Sequence, residues 1–260
     1  MSIRLPPVLV HFFKHPLPYA STWNLQQRVH NIQLALRDTG NHLDILLLLQ
    51  HRPVYTAGRR QTEVTIKDEQ NRLQSLGADF ISASRGGQLT YHGPGQVVGY
   101  PLIDLARYSP NIGSRDYVCR LQRMLKQYLQ EHDIPTVHSE HAGVFLDSST
   151  KIASIGVQVR HRLTSHGFAI NITKEPLAWF NQIVACGLND VRAGSVESKL
   201  DKDIVVEDEI PAMIQQFGEV FERKMVAMDP ATQGQVGAAI IALEKEAAET
   251  GDWAKTPKQL

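Results

Sequence analysis

Cysteine is nearly absent from this chain of 260 residues: only Cys119 and Cys186 carry a thiol. Two are too few for a disulfide framework or a cysteine-ligated zinc site, and they suit a reducing compartment. Long apolar runs are missing as well. None approaches the roughly 20 residues of a membrane helix, and the start lacks the apolar core and small-residue cleavage site of a secretory signal, so a soluble intracellular protein is expected. Net charge is zero, with 27 lysines and arginines against 27 aspartates and glutamates. No global field recruits nucleic acid or an anionic membrane, and neither is expected as a partner. The last absence is local: from Met1 to Arg37 there is no acidic residue, a composition resembling a mitochondrial targeting segment. A first strand (Val8 to Phe13) and helix (Ser21 to Arg37) that happen to lack acids explain the same composition, and both readings hold if targeting overlaps the fold. The mitochondrial matrix is the expected location, with a bacterial cytoplasm as the alternative.

What is present is enough to bury a substantial core. One catalytic domain with a C-terminal extension is the natural division. Leu25, Val29, Ile32 and Leu36 recur at helical spacing, which predicts a helix capped by Ser21 or Thr22 and ended by Gly40. Leu43 to Gln50 is an almost continuous apolar run, as in a strand buried on both faces at the centre of a sheet. A second helix is expected from Ser114 to about Asp133, with Val118, Leu121, Leu125 and Leu129 on one stripe. The runs Gly143 to Leu146, Lys151 to Arg160 and Leu163 to Thr173, joined by short polar connections, predict an antiparallel meander. Further helices are expected over about Glu207 to Met225 and Ala238 to Glu249. With no regular βαβ alternation, the pattern gives an α+β domain on a mixed or antiparallel sheet with flanking helices.

Three stretches carry candidate chemistry. Arg85 to Tyr100 reads RGGQLTYHGPGQVVGY, with five glycines and one proline. Glycines at that density point to positive φ or to backbone lying close against a ligand. Gly93-Pro94-Gly95-Gln96 fits a type II turn with glycine third, so the stretch reads strand, tight turn, strand, and Thr90 and His92 share one face of the first arm. A hairpin whose glycines serve only the turn is the plainer reading. Lys151 opens a strand in which a regular pleat places it with Ala153, Ile155, Val157 and Val159. Burial there would disfavour the ammonium form and suit a group that takes and gives protons, while a lysine at a strand's first residue can equally snorkel to water. Cys186 lies in Val184-Ala185-Cys186-Gly187-Leu188, at a loop mouth where a neighbouring N–H could face an oxyanion; beside a lysine it would be a nucleophile, and otherwise a small core residue. Between them, Gly167, Ala169 and Asn171 of His166 to Asn171 form a small-residue face, which leaves room for a slim ligand or for tight strand packing.

The chain resembles the octanoyl transferases, or lipoyl(octanoyl) transferases, of protein lipoylation. The matching pieces are LLLLQHRPVYTAGRR (Leu46 to Arg60), RGGQLTYHGPGQVVGYPLIDL (Arg85 to Leu105), KIASIGVQVR (Lys151 to Arg160), HGFAIN (His166 to Asn171) and ACG (Ala185 to Gly187). The resemblance implies the α+β catalytic domain of lipoate ligases and biotin protein ligases. It also implies an acyltransferase that moves an octanoyl group from octanoyl-acyl carrier protein to a lysine of lipoyl domains, those of 2-oxoacid dehydrogenase complexes and of the glycine cleavage H protein. Carried over residue by residue, Cys186 matches the acyl-accepting nucleophile and Lys151 its partner. Arg85, Gly86, Gly87, Gln88, Leu89, Thr90, Tyr91 and His92 match substrate-binding positions, as do Ser154, Ile155, Gly156, Gly167, Phe168 and Ala169. Exchange of one thioester for another and then for an amide calls for no ATP, cofactor or metal. An ATP-dependent lipoate or biotin ligase on the same fold and a non-catalytic module that binds acyl chains or lipoyl domains are the alternatives. Residues around Val191 to Asp203 match the family loosely, and Ala227 to Leu260 extend beyond the match, so the resemblance draws the boundary between a catalytic domain over residues 1–226 and a C-terminal extension over 227–260.

Overall fold

The computed structural model describes residues 5–60, 63–183, 191–249 and 251–259. Along the chain the elements are β1 (Val8–Phe12), α1 (Tyr19–Leu36), β2 (Asp44–Leu49), β3 (Val54–Ala57), α2 (Glu63–Ser75), β4 (Asp79–Ser82), β5 (Leu89–His92) and β6 (Gln96–Leu102). There follow α3 (Ser114–Glu131), β7 (Val144–Phe145), β8 (Thr150–Arg160), β9 (Leu163–Asn171), α4 (Glu175–Phe180), β10 (Arg192–Ala193) and α5 (Val196–Leu200). The chain ends with α6 (Ile210–Phe221), β11 (Met225–Ala227) and α7 (Gly234–Glu249). A large mixed sheet runs in the order β10-β8-β9-β6-β2-β1-β11, with β7 paired to β8, and a separate sheet runs β4-β3-β5.

The expected central strand is β2, buried along its whole length between antiparallel β6 and parallel β1. Its alternation sorts the core into two layers. Leu46 and Leu48 pack with Val97, Phe168 and Ile170 against Leu121 and Leu125 of α3 and Phe217 and Phe221 of α6. Ile45, Leu47 and Leu49 face the other way, with Val98 and Tyr100, against Leu25 and Val29 of α1 and Val236, Ile240 and Leu243 of α7. The meander forms as β7, β8 and β9, each antiparallel to the next. The acid-free start is built into this body, β1 lying inside the sheet and α1 over it.

The tight turn is where expected, with Gly95 at φ +87° in the third position, a conformation that a side chain strains. Its arms do not pair with each other, however: β5 hydrogen-bonds β3 of the small sheet and β6 joins β2 and β9 of the large one. The turn therefore passes the chain from one sheet to the other. Helix boundaries also differ from expectation, α7 beginning at Gly234 and α6 at Ile210. The first helix starts at Tyr19 behind extended Pro18, whose carbonyl accepts from the Thr22 hydroxyl at 2.7 Å, so neither Ser21 nor Thr22 is the cap. The helix expected to reach Met225 stops at Phe221, where Glu222 turns left-handed (φ +54°), and Met225–Ala227 pairs with β1 as an edge strand.

Residues beyond 227 are part of the core. Met228, Val236, Ile240, Leu243 and Ala247 bury with α1 and the large sheet. The tail then reaches the small sheet: Trp253 lies under the Arg52 guanidinium at 5.7 Å, and the Lys258 N–H donates to Leu76 O at 2.9 Å. Each buried Val, Leu, Ile or Met side chain is worth about 1.5–3 kcal/mol, so those side chains together rival the 5–15 kcal/mol that holds a typical domain folded. Truncation after Ala227 is expected to abolish the cooperative thermal transition and the soluble yield; a truncated chain that melts like the full one would show that α7 is dispensable.

Candidate active site

A cavity of about 290 Å³ opens in the seam between the sheets, small for a ligand site. Arg85, Gly86, Gly87, Gln88, Thr90 and His92 line it from the small sheet, and Lys151, Ser154, Ile155, Gly156, Gly167, Phe168 and Ala169 line it from β8 and β9. Segments far apart in sequence thus meet on one space. Leu89 and Tyr91, expected beside them, do not: alternation along β5 turns both into the apolar cluster with Tyr55, Trp179 and Phe180, where the Tyr91 ring stacks on Trp179 at 5.3 Å. Cys186 and Gly187 lie outside the described residues.

Lys151 reaches the cavity through a break in the pleat. Val144 pairs with Ala153 and Phe145 with Lys151, so one step on β7 spans two on β8 and Ile152 is the extra residue of a β-bulge. Ile152 and Ala153 both join the core layer under α3 and α6. Lys151 falls on the side of Ser154 and Gly156 instead of the apolar side that a regular pleat predicts. It is 8 % exposed, with Nζ 5.6 Å from the Phe145 ring centroid. Gly143, at φ +132°, makes room for it: a Cβ there would sit 2.5 Å from Lys151 Cε.

The glycine-rich loop is tied down by its own arginine. The buried Arg85 guanidinium donates to Thr56 Oγ1 at 2.7 Å, to Gly86 O at 2.9 Å and to Gln88 O at 2.9 Å. Main-chain bonds hold the loop on both sides: Gly86 N–H to Val157 O, Arg59 N–H to Arg85 O and Arg60 N–H to Gly87 O, each 3.1 Å. With its N–H engaged, Gly86 offers no oxyanion donor. The tight-packing reading of the small residues also has support: a Cβ on Gly167 would sit 2.0 Å from Gly99 O, so that glycine serves strand packing against β6.

The inner end of the cavity is polar and aromatic. Tyr19, Tyr100 and His166 line it, with His51 behind. His51 Nδ1 lies 3.0 Å from Leu17 O and must donate to it, so its Nε2 accepts from the Tyr100 hydroxyl at 2.6 Å. His166, at φ +57°, is held by Tyr19 Oη at 3.3 Å, by Ser84 Oγ at 3.2 Å and by the Trp23 ring stacked at 4.4 Å. Burial disfavours every charged form here. It pushes His51 down to about 4, and burial followed by the nearby Arg85 charge pushes His166 down to about 3. His92 falls well below the ordinary range through burial and then its neighbours His51 and Arg85, while burial raises Tyr19 to about 12. Thr90 Oγ1 and His92 Nδ1 are buried and have no hydrogen-bond partner among the described residues.

Sequence reasoning missed Tyr19, Arg60, Tyr100, His141, Ala142 and His166, which also line the cavity. A signal existed for three of them: a tyrosine or histidine at an inward position of an otherwise apolar strand or helix needs a polar partner.

Residues 18–218 match the model of the lipoyl protein ligase A/B catalytic domain. An octanoyltransferase of Koribacter versatilis is 37% identical over 206 residues, 78% of this chain and 82% of that protein. A mitochondrial octanoyl-[acyl-carrier-protein]:protein N-octanoyltransferase of Danio rerio is 37% identical over 205 residues, 79% of this chain and 88% of that one. Among solved structures, a lipoate-protein ligase A bound with ATP superposes with a TM-score of 0.62 at 12% identity, covering 96% of this chain and 98% of the other, a likeness of fold.

Histidines buried neutral give an acid-sensitive fold. Because His51 titrates lower folded than its ordinary 6.5, the unfolded chain binds more protons between those values, and stability present above about pH 6.5 is lost as pH falls toward about 4. Denaturant unfolding across that range is expected to show the decline, and His51→Gln to remove about 1.4 kcal/mol per pH unit of its slope; an identical slope in the variant would refute the assignment.

Proposed function

Since this chain belongs to the lipoyl protein ligase A/B catalytic-domain family, we propose that it is an octanoyltransferase of protein lipoylation, moving an octanoyl group from octanoyl-acyl carrier protein to a lysine of lipoyl domains. The observation that carries this reading is the convergence of three separate motifs on one small cavity, with Lys151 turned into it by a bulge. The octanoyltransferase names of relatives more than a third identical supply the acyl group. Lipoyl domains of 2-oxoacid dehydrogenase complexes and the glycine cleavage H protein are the proposed acceptors.

The proposed chemistry uses Cys186 and Lys151. Lys151, in its amine form, takes the Cys186 thiol proton, and the thiolate attacks the carbonyl carbon of the carrier thioester. The pantetheine sulfur leaves with that proton, and the octanoyl group remains on Cys186 as a thioester. The acceptor amine then attacks the same carbon and gives its proton to Lys151. The amide forms, the Cys186 sulfur leaves, and Lys151 returns the proton to it. The carbonyl stays at the thioester level until the amide is made, so no step consumes ATP. An adenylate-forming ligase on this fold would have no use for Cys186. For location we propose the mitochondrial matrix, on the acid-free composition of residues 1–37 and the mitochondrial relative.

The test is intact-mass analysis after incubation with octanoyl-acyl carrier protein and no ATP. An octanoyl adduct on Cys186 is expected, chased by a lipoyl domain, while Cys186→Ser and Lys151→Met should each lower transfer by 100-fold or more, on the order of an acid–base group's contribution. Full transfer by Cys186→Ser, or a strict requirement for ATP, would overturn the mechanism. A reporter fused to the whole chain that stayed cytosolic in a eukaryotic cell would overturn the location.

A further inference from the structure

The cavity has a direction. Arg60, His141 and Ala142 at one end are exposed, whereas Tyr19, His92 and Tyr100 at the other are 3, 7 and 3 % exposed. Lys151 stands toward the open end, its Cε packed where a Gly143 Cβ would fall, next to Ala142. The inner end presents aromatic rings and a hydroxyl, and the Arg85 donors on its flank are turned onto Thr56, Gly86 and Gln88. Burial makes a carboxylate or ammonium costly at that end, so the uncharged end of a ligand enters first and its reacting carbonyl stays beside Lys151.

We infer that Tyr19, His92 and Tyr100 form a rigid stop that sets the longest acyl chain the site accepts. The inference rests on the acyl-transfer reading of the same cavity and adds the residues that choose the substrate. The stop cannot easily yield, because each phenol is anchored from behind. Tyr100 donates to His51, itself fixed on Leu17 O, and Tyr19 meets His166, which Trp23 and Ser84 hold. Tyr19 and His92 are also stacked on each other, rings 12° from parallel with centroids 6.3 Å apart. A chain pushed further must displace these rings or cover Thr90 Oγ1 and His92 Nδ1, which have no hydrogen-bond partner among the described residues, with methylenes. Both routes oppose the gain from burying extra carbons. His51, which lies behind the cavity wall, acts on selection only through Tyr100, as a positioning residue.

The experiment compares kcat/KM for hexanoyl-, octanoyl-, decanoyl- and dodecanoyl-acyl carrier protein with a lipoyl domain as acceptor. In the unaltered protein the value should drop beyond octanoyl. Tyr19→Ala opens the inner end and should raise the decanoyl-to-octanoyl ratio about tenfold, as expected for two more buried methylenes. His92→Ala opens the same end from β5 and should raise the same ratio, which keeps the stop testable should Tyr19→Ala fail to fold. Unchanged ratios in the folded variants, with octanoyl transfer intact, overturn the stop while leaving the function standing. No octanoyl transfer by the unaltered protein would refute the function, and this inference with it.

Discussion

The buried guanidinium of Arg85 is the fixed point on which the candidate site depends. Removing such a cation from water costs several kcal/mol unless its donors are met, and here they are met by the Thr56 hydroxyl on β3 and by carbonyls of its own loop at Gly86 and Gln88. Satisfying the charge therefore folds the loop back on itself and locks it to the small sheet. That fixes where β5 begins and where Thr90 and His92 face the cavity. The same charge acts at a distance: it opposes protonation of His92 and His166 and partly offsets the burial that raises Tyr19 and Tyr100. A composition that reads as substrate contact is thus first a structural clamp, and the electrostatics of the inner cavity follow from it.

How much of this was legible in the sequence depends on whether the deciding interaction is local. The central strand at Leu43–Gln50, the helix from Ser114 and the β7–β8–β9 meander were readable because burial leaves a periodic trace over many residues. The Gly93–Gln96 turn was readable from proline and glycine chemistry, but the partners of its arms are non-local, so the passage between two sheets was not. Of the motif Arg85–His92, Leu89 and Tyr91 face the core, since a contiguous match in sequence ignores the twofold alternation of a strand. The bulge at Ile152 had no local signal either, because Ile-Ala looks like ordinary strand and only pairing with β7 reveals the extra residue. Glu222 ends α6 in a conformation glycine usually marks, so no residue type in the sequence signals the stop at Phe221. Cys186 rests on the sequence and its resemblance alone.

The molecule solves the burial of polar groups in two opposite ways, and the contrast explains how the strands that carry the site hold their register. At the far end of the large sheet charges are paired: Arg223 meets Asp44 at 2.7 Å and Arg37 meets Asp104 at 3.1 Å, with His42 hydrogen-bonded to the same Asp104 carboxylate at 3.0 Å. At the inner end of the cavity charge is suppressed instead, with the histidines held neutral by burial. The paired cluster reaches the β8–β9 hairpin, where His161 and Arg162 both adopt left-handed backbone without being glycine. Arg37 donates to the His161 carbonyl at 2.5 Å, and the Leu105 N–H donates to the Arg162 carbonyl at 2.9 Å. A two-residue turn held in that shape fixes which residue of β9 opposes which residue of β8, and a slip of one would turn every side chain of β9 to the other face. Gly156 opposite Gly167 and Ser154 opposite Ala169 are consequences of that turn. The part of the cavity wall built by β8 and β9 is therefore set from the other end of the sheet, where Arg37 holds the His161 carbonyl and pairs with Asp104.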